Sequence, residues 1–114
     1  MMKAVNRRTG QVLATDVKVA DNLFTRMKGL LGKKELPTGN ALLIKPCFSV
    51  HTFFMKFPID VIFLNKDNQI IASVNNLSPN RMTRLYLQSL SVLELPPGTI
   101  NASNTVIGDK IEIE

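Results

Sequence analysis

Val50-His51-Thr52-Phe53-Phe54-Met55-Lys56-Phe57-Pro58-Ile59-Asp60-Val61-Ile62-Phe63-Leu64 is the stretch on which the fold turns. It is rich in aromatic and β-branched residues, the side chains that pack best on a pleated surface. It reads as two strands, Val50–Met55 and Ile59–Leu64, parted by Pro58.

Working outward, the texture stays β. Asn65-Lys66-Asp67-Asn68 is a hairpin turn leading into a strand over 69–74. Residues 77–84 are polar, contain Pro79 and read as a loop. Ser91–Leu95 is a further strand, closed by Pro96-Pro97-Gly98. A turn or short helix follows, and Gly108-Asp109 precedes a last alternating strand over 110–114. Upstream, Ala41–Ile44 is a short buried strand after the turn Pro37-Thr38-Gly39. Asp21 is a good helix N-cap, with Leu23, Met27, Leu30 and Leu31 at helical spacing and Gly32 as the stop. Residues 3–19 form a hairpin about Thr9-Gly10, with a break in alternation between Ala14 and Val17. The expected architecture is mainly β with one helix (α+β). It is a small curled antiparallel sheet or barrel-like domain with the helix packed on it, running as one domain over 1–114.

The composition, 45% hydrophobic and 20% charged, is that of a globular chain. No apolar run approaches the roughly 20 residues that span a bilayer. The charged N-terminus has no apolar segment behind it, so no secretory signal is read there. The expectation is a soluble, cytoplasmic protein, with export left open for the case of a trimmed signal peptide. Cys47 and His51 are the chain's single cysteine and single histidine. They exclude an intrachain disulfide and a cysteine-based zinc finger, and no metal or cofactor is implied. Residues 1–57 carry ten Lys/Arg against three Asp/Glu, whereas residues 58–114 carry four against six. A basic first half, with Arg26, Lys28, Lys33, Lys34 and Lys45, could meet an anionic partner. An aromatic content of 6% and the lack of a recognised motif count against nucleic acid.

On a regular strand, Cys47, Ser49, His51, Phe53 and Met55 share one face. Cys47 and His51 would nonetheless lie about 13 Å apart at the rise of an extended chain, too far for a nucleophile–base dyad. Cys47 reads better as a small buried hydrophobe. Asp60 and Glu94 are the odder residues, each a carboxylate set in an apolar strand. Each must be paired, shifted in pKa or turned to water. If they converge they make an acid–base pair; otherwise each accepts hydrogen bonds from a residue such as Lys56, Arg81 or Arg84.

Gly29-Leu30-Leu31-Gly32, the run Phe53–Leu64, the run Val92–Thr99 and Gly108-Asp109 together resemble the family catalogued as domain of unknown function 192, over nearly the whole chain. The resemblance implies a compact β-rich domain and no established activity. It falls on Gly29, Leu30, Met55, Lys56, Pro58, Asp60, Glu94, Gly98, Gly108 and Asp109. The commoner form of the family carries Trp where this chain has Phe54, and a longer segment between Lys56 and Pro58.

The leading functional reading is a binding module for a small polar ligand on a concave sheet face. His51, Phe53, Met55, Asp60 and Glu94 would line it, with Arg81 or Arg84 from the polar loop. The alternative is an enzyme using Asp60 and Glu94 as acid and base. A further alternative is a weak nucleic-acid or protein interaction through the basic N-terminal half. Nothing in the sequence indicates an oligomeric state.

Overall fold

The computed structural model describes residues 2–20 and 34–114. The expected helix from Asp21 to Gly32 lies outside the described residues. The elements described are β1 (Ala4–Asn6), β2 (Val12–Ala14), β3 (Asp16–Ala20), β4 (Asn40–Ile44), β5 (Ile59–Leu64), β6 (Ile70–Leu77), β7 (Ser91–Leu95), a short helix α1 (Thr99–Ala102) and β8 (Ile111–Ile113). The chain is mainly β, as expected.

The strands form two sheets and not a closed barrel. One runs β2-β1-β8, the other β3-β4-β7-β5-β6. Nor is the larger sheet wholly antiparallel, because β3 and β4 pair in parallel, Val17 level with Ala41 and Val19 with Leu43. The break in alternation after Ala14 marks the reason. At Thr15 the chain leaves the small sheet for the large one, and the Thr15 and Asp16 N–H groups both donate to the Gly39 carbonyl, at 2.8 and 3.0 Å. Gly39 makes this possible with φ of 89°, a left-handed conformation that favours glycine.

Local sequence chemistry sets the other turns. The Asn65 side chain accepts from the Asp67 and Gln69 N–H groups at 2.9 and 3.0 Å, an Asx turn that reverses β5 into β6. Asn6 does the same for the β1–β2 turn, its Oδ1 accepting from the Arg8 and Thr9 N–H groups.

Side chains alternate across the large sheet, so each of its faces has a separate core. One core lies between the two sheets. It joins Leu43, Ile62, Leu93 and Leu95 to Ala4, Leu13 and Ile111 of the small sheet. The other covers the opposite face, where Ile44, Val61, Phe63 and Val92 meet Leu36, Val50, Met55 and Phe57 from the connecting segments. All six residues of β5 and all five of β7 are buried, the mark of strands covered on both faces.

Residues 50–55 are not a strand. His51 makes one isolated antiparallel bridge, to Met82. The chain turns at Phe53-Phe54, with Phe54 at φ of 67°. The aromatic and β-branched run reads as a strand because those residues suit a half-buried surface. Here they line a loop folded over the second core.

Candidate functional site

The two carboxylates singled out by sequence are both fully buried, and the sheet keeps them apart. In the β5–β7 register Asp60 is level with Leu95, and Glu94 with Val61. Residues level with one another project to the same face. Asp60 therefore shares the face of Leu95 and the inter-sheet core, while Glu94 shares that of Val61 and the other core. The acid–base pair held as the alternative required them to converge, and the geometry corrects it, since they lie on opposite sides of one sheet.

Asp60 has a structural task. Its Oδ1 accepts from the Asn76 N–H at 2.8 Å and its Oδ2 from the Ile100 N–H at 2.9 Å. The first secures the end of β6, where Asn76 takes a left-handed φ of 54°. The second satisfies an otherwise open N–H in the first turn of α1. Its partners are backbone groups, not the Lys56, Arg81 or Arg84 side chains suggested by sequence.

Among the described residues the seven expected to share a concave face are divided by the large sheet, with Asp60 on the inter-sheet side and Met55 and Glu94 on the other. Met55 is buried in the second core. His51, Phe53, Arg81 and Arg84 instead belong to a ribbon made by two loops, residues 48–54 and 80–90. The Tyr86 N–H donates to the Phe48 carbonyl at 2.8 Å, the Thr83 N–H to that of Val50 at 2.8 Å and the Thr52 N–H to that of Arg81 at 2.9 Å. Thr52 is the clasp: its hydroxyl donates to the Ser78 carbonyl at 2.6 Å and accepts from the Arg81 N–H at 3.0 Å. The Phe54 N–H donates to the Asn80 side chain at 3.1 Å, fixing the tip.

The ribbon has an inner and an outer aspect. Inward, Val50, Thr52 and Ser89 are buried. Tyr86 packs its ring on Phe63 of β5 at 4.4 Å between centroids. The Arg84 guanidinium lies 5.9 Å from the Tyr86 centroid, within cation–π range. Outward, Phe54 is 80% exposed, Leu87 76%, Met82 64% and Leu85 59%, with Phe48 and Phe53 also open to solvent. The His51 and Phe53 rings stack at 5.0 Å. Where Phe48, Leu87 and Leu90 meet the Asn65-Lys66-Asp67 turn there is a shallow cleft of about 480 Å³. A second cleft, of about 440 Å³, lies among Leu36, Pro37, Phe57, Pro58, Pro96 and Pro97. Neither is lined by Asp60, Glu94 or His51.

The apolar side of this ribbon is not legible in the sequence as a site. Met82, Leu85 and Leu87 follow no period, and the loop reads as polar from Asn80, Arg81 and Arg84. The one available signal is large apolar side chains in a segment too irregular to bury them. Cys47 is half-buried beside the ribbon, its thiol donating to the Ser49 carbonyl at 3.1 Å, as befits a packed residue. Among the described residues no cluster of three or more His, Cys, Asp or Glu side chains could hold a metal ion.

A separate network, with Asn6 and Asp109 buried and Arg8 exposed, ties the ends of the small sheet. Asp109 Oδ1 accepts from Arg8 Nε at 2.6 Å, and its Oδ2 accepts from Arg8 Nη2, Asn6 Nδ2 and the Val106 N–H at 3.1, 3.0 and 2.9 Å. The Arg8 hydrogen bond, aided by Asn6 and the Val106 N–H, holds the Asp109 carboxyl well below the usual carboxylate range against the opposing effect of burial. Arg8 is shifted upward by the same bond.

The sequence profile of DUF192, described as an uncharacterized ACR family, matches residues 4–113. The chain belongs to the DUF192 family. A UPF0127 protein of Thermococcus sibiricus is 32% identical over 96% of this chain and 73% of its own length. A UPF0127 protein of Pyrococcus furiosus is 31% identical over 95% of both. The DUF192 fold recurs in a crystal structure of a protein of unknown function from Novosphingobium aromaticivorans. Its TM-score is 0.81 at 21% identity, covering 97% of this chain and 82% of that one. It recurs also in a Sinorhizobium meliloti protein described as a candidate transcription regulator, with TM-score 0.80 at 20% identity over 98% of this chain and 91% of that one. At such identities the likeness is one of fold.

Proposed function

We propose that this DUF192 domain is a binding module whose contact surface is the outer side of the loop ribbon, residues 48–54 and 80–90. Its ligand is apolar and negatively charged, in place of the small polar molecule the sequence suggests. The observation that carries the reading is the outward set of large apolar side chains, Phe48, Phe54, Met82, Leu85 and Leu87, on one hydrogen-bonded feature. Single exposed apolar residues are ordinary, but several large ones gathered on one ribbon mark an interaction surface. The charge supports an anionic ligand. Residues 36–59 and 68–93 contain no Asp or Glu, while Lys45, Lys56, Arg81 and Arg84 are exposed there.

Anilinonaphthalene sulfonate, an aromatic anion, is the probe. Titrated into the isotope-labelled full chain, it shifts the amide resonances of residues 48–54 and 80–90. The double variant Phe54→Asn/Leu87→Ser weakens its binding by at least about tenfold, as expected for losing two apolar contacts. Shifts centred elsewhere, or an unchanged affinity in the variant, overturn the reading.

A further inference from the structure

The partner of the ribbon can be identified by chemistry, and this step rests on the binding surface just described. We infer that the ribbon docks onto an anionic lipid surface, inserting its apolar crests among the headgroups while its cations contact lipid phosphates.

Three observations point to a lipid surface over an acidic protein segment. The first is where the apolar groups stand. The two most exposed, Phe54 and Leu87, sit on separate turns, Phe53-Phe54 and Leu87-Gln88, at opposite ends of the ribbon. The stretch from Phe48 to Thr52, held to the facing loop by hydrogen bonds, separates those ends. Protein interfaces concentrate their energy in a central anchor seated in a pocket. Crests spread along a ridge suit a soft medium that each of them can enter separately, as apolar side chains enter the boundary between headgroups and acyl chains.

The second observation is the charge. Cytoplasmic leaflets carry a negative surface potential that attracts basic residues close to the membrane plane. Arg81 lies in the hydrogen-bonded part of the ribbon opposite Thr52, and Arg84 is exposed at the ribbon's edge with its guanidinium beside the Tyr86 ring. Asp67 is the one acid lining the cleft at the Leu87 end, and Lys66 adjoins it. The ribbon's own two loops carry none.

The third is the rigidity of the leading crest. Phe54 adopts φ of 67° and is held there by Asn80, itself at φ of 60°. Such a backbone is rare for a bulky side chain. Holding an aromatic ring out in an unfavourable backbone conformation makes sense where that ring is used. Among the described residues no helix is long and apolar enough to cross a membrane, so the contact is one of surface docking.

The test is sedimentation of the full chain with vesicles of phosphatidylcholine alone and of an equimolar mixture with phosphatidylglycerol. Binding is expected to the mixed vesicles only, and high salt should release the protein by screening. Arg81→Gln/Arg84→Gln should weaken binding by at least about tenfold, since each basic residue near such a surface contributes about fivefold. Phe54→Asn/Leu87→Ser should abolish it. All four substitutions are at exposed positions, and unchanged circular dichroism shows that each variant is folded. A tryptophan at position 54, Phe54→Trp, should shift its emission to the blue on addition of mixed vesicles. Failure to sediment with the mixed vesicles, equal binding to both kinds, or wild-type binding by the Phe54/Leu87 variant overturns the lipid assignment. If the naphthalene sulfonate still maps to the ribbon while vesicles do not bind, the module reading stands and the lipid falls. An acidic amphipathic peptide that then binds the ribbon names the replacement.

Discussion

Asp60 on β5 and Glu94 on β7 occupy adjacent hydrogen-bonded strands and point to opposite faces of the sheet, Asp60 level with Leu95 and Glu94 level with Val61. Two carboxylates on neighbouring strands are thus separated by the sheet itself. Asp60 spends both oxygens on backbone N–H groups, those of Asn76 and Ile100.

Substituting Asp60 is therefore expected to act on stability. Asp60→Ala leaves two N–H groups without their acceptor in a buried place and should cost about 3 kcal/mol. Asp60→Asn should cost about 2 kcal/mol, because one of its two atoms becomes a donor facing a donor. Urea unfolding reads both as a lower midpoint with an unchanged slope. A midpoint for Asp60→Asn equal to wild type would contradict the hydrogen-bond assignment.

Phe54 should behave in the opposite sense. Its ring is 80% exposed and its backbone sits at φ of 67°, so its replacement loses little packing and relieves an unfavourable conformation. Phe54→Gly or Phe54→Asn should stabilise the chain by about 0.5–1 kcal/mol, raising the midpoint of thermal unfolding by a few degrees. A loss of stability would show that the ring packs in solution.

At Gly39 both backbone and space are restricted. A Cβ there would meet Thr15 Oγ1 at 3.0 Å, at a φ of 89°. Gly39→Ala should destabilise by about 1–2 kcal/mol. Combining it with Thr15→Ala should recover the crowding part and leave the backbone part, which a double-mutant cycle separates.

Acid stability should report on Asp109. Its folded pKa is depressed, first by Arg8. Its contribution is therefore fully present above the unfolded value of about 3.9 and is lost as pH falls below that toward the folded value. Asp109→Asn should lower stability at neutral pH and flatten the acid limb below about pH 4. Denaturant midpoints taken across that range check it. Parallel acid limbs for wild type and variant would remove Asp109 from the linkage.

The regular part of the fold is legible in the sequence, and the candidate site only in pieces. Ser91–Leu95 and Ile59–Leu64 show their true bounds, because unbroken apolar runs between turn residues leave little choice. The facing of Asp60 and Glu94 is hidden. Alternation within a strand is visible in sequence, but the register between β5 and β7 is set across a long stretch of intervening chain. The partners of Asp60 are hidden for a different reason: backbone N–H groups leave no signature in residue type. Residues 50–55 mislead because aromatic content stands in for pairing that the chain does not make. Of the ribbon, His51, Phe53, Arg81 and Arg84 stand out in the sequence, while Phe48, Met82, Leu85 and Leu87 do not.

The order β2-β1-β8 has a consequence for folding. β1 lies between a neighbour close in sequence and one about a hundred residues away, with Ala4 level with both Ala14 and Ile113. Until that distant strand pairs, the small sheet is a two-stranded hairpin, a unit marginal in water, and one strand edge stays open. The core between the sheets lacks Ile111 for as long. The small sheet is thus closed by the slowest kind of contact in the domain, one whose long loop must be ordered before the pairing repays it.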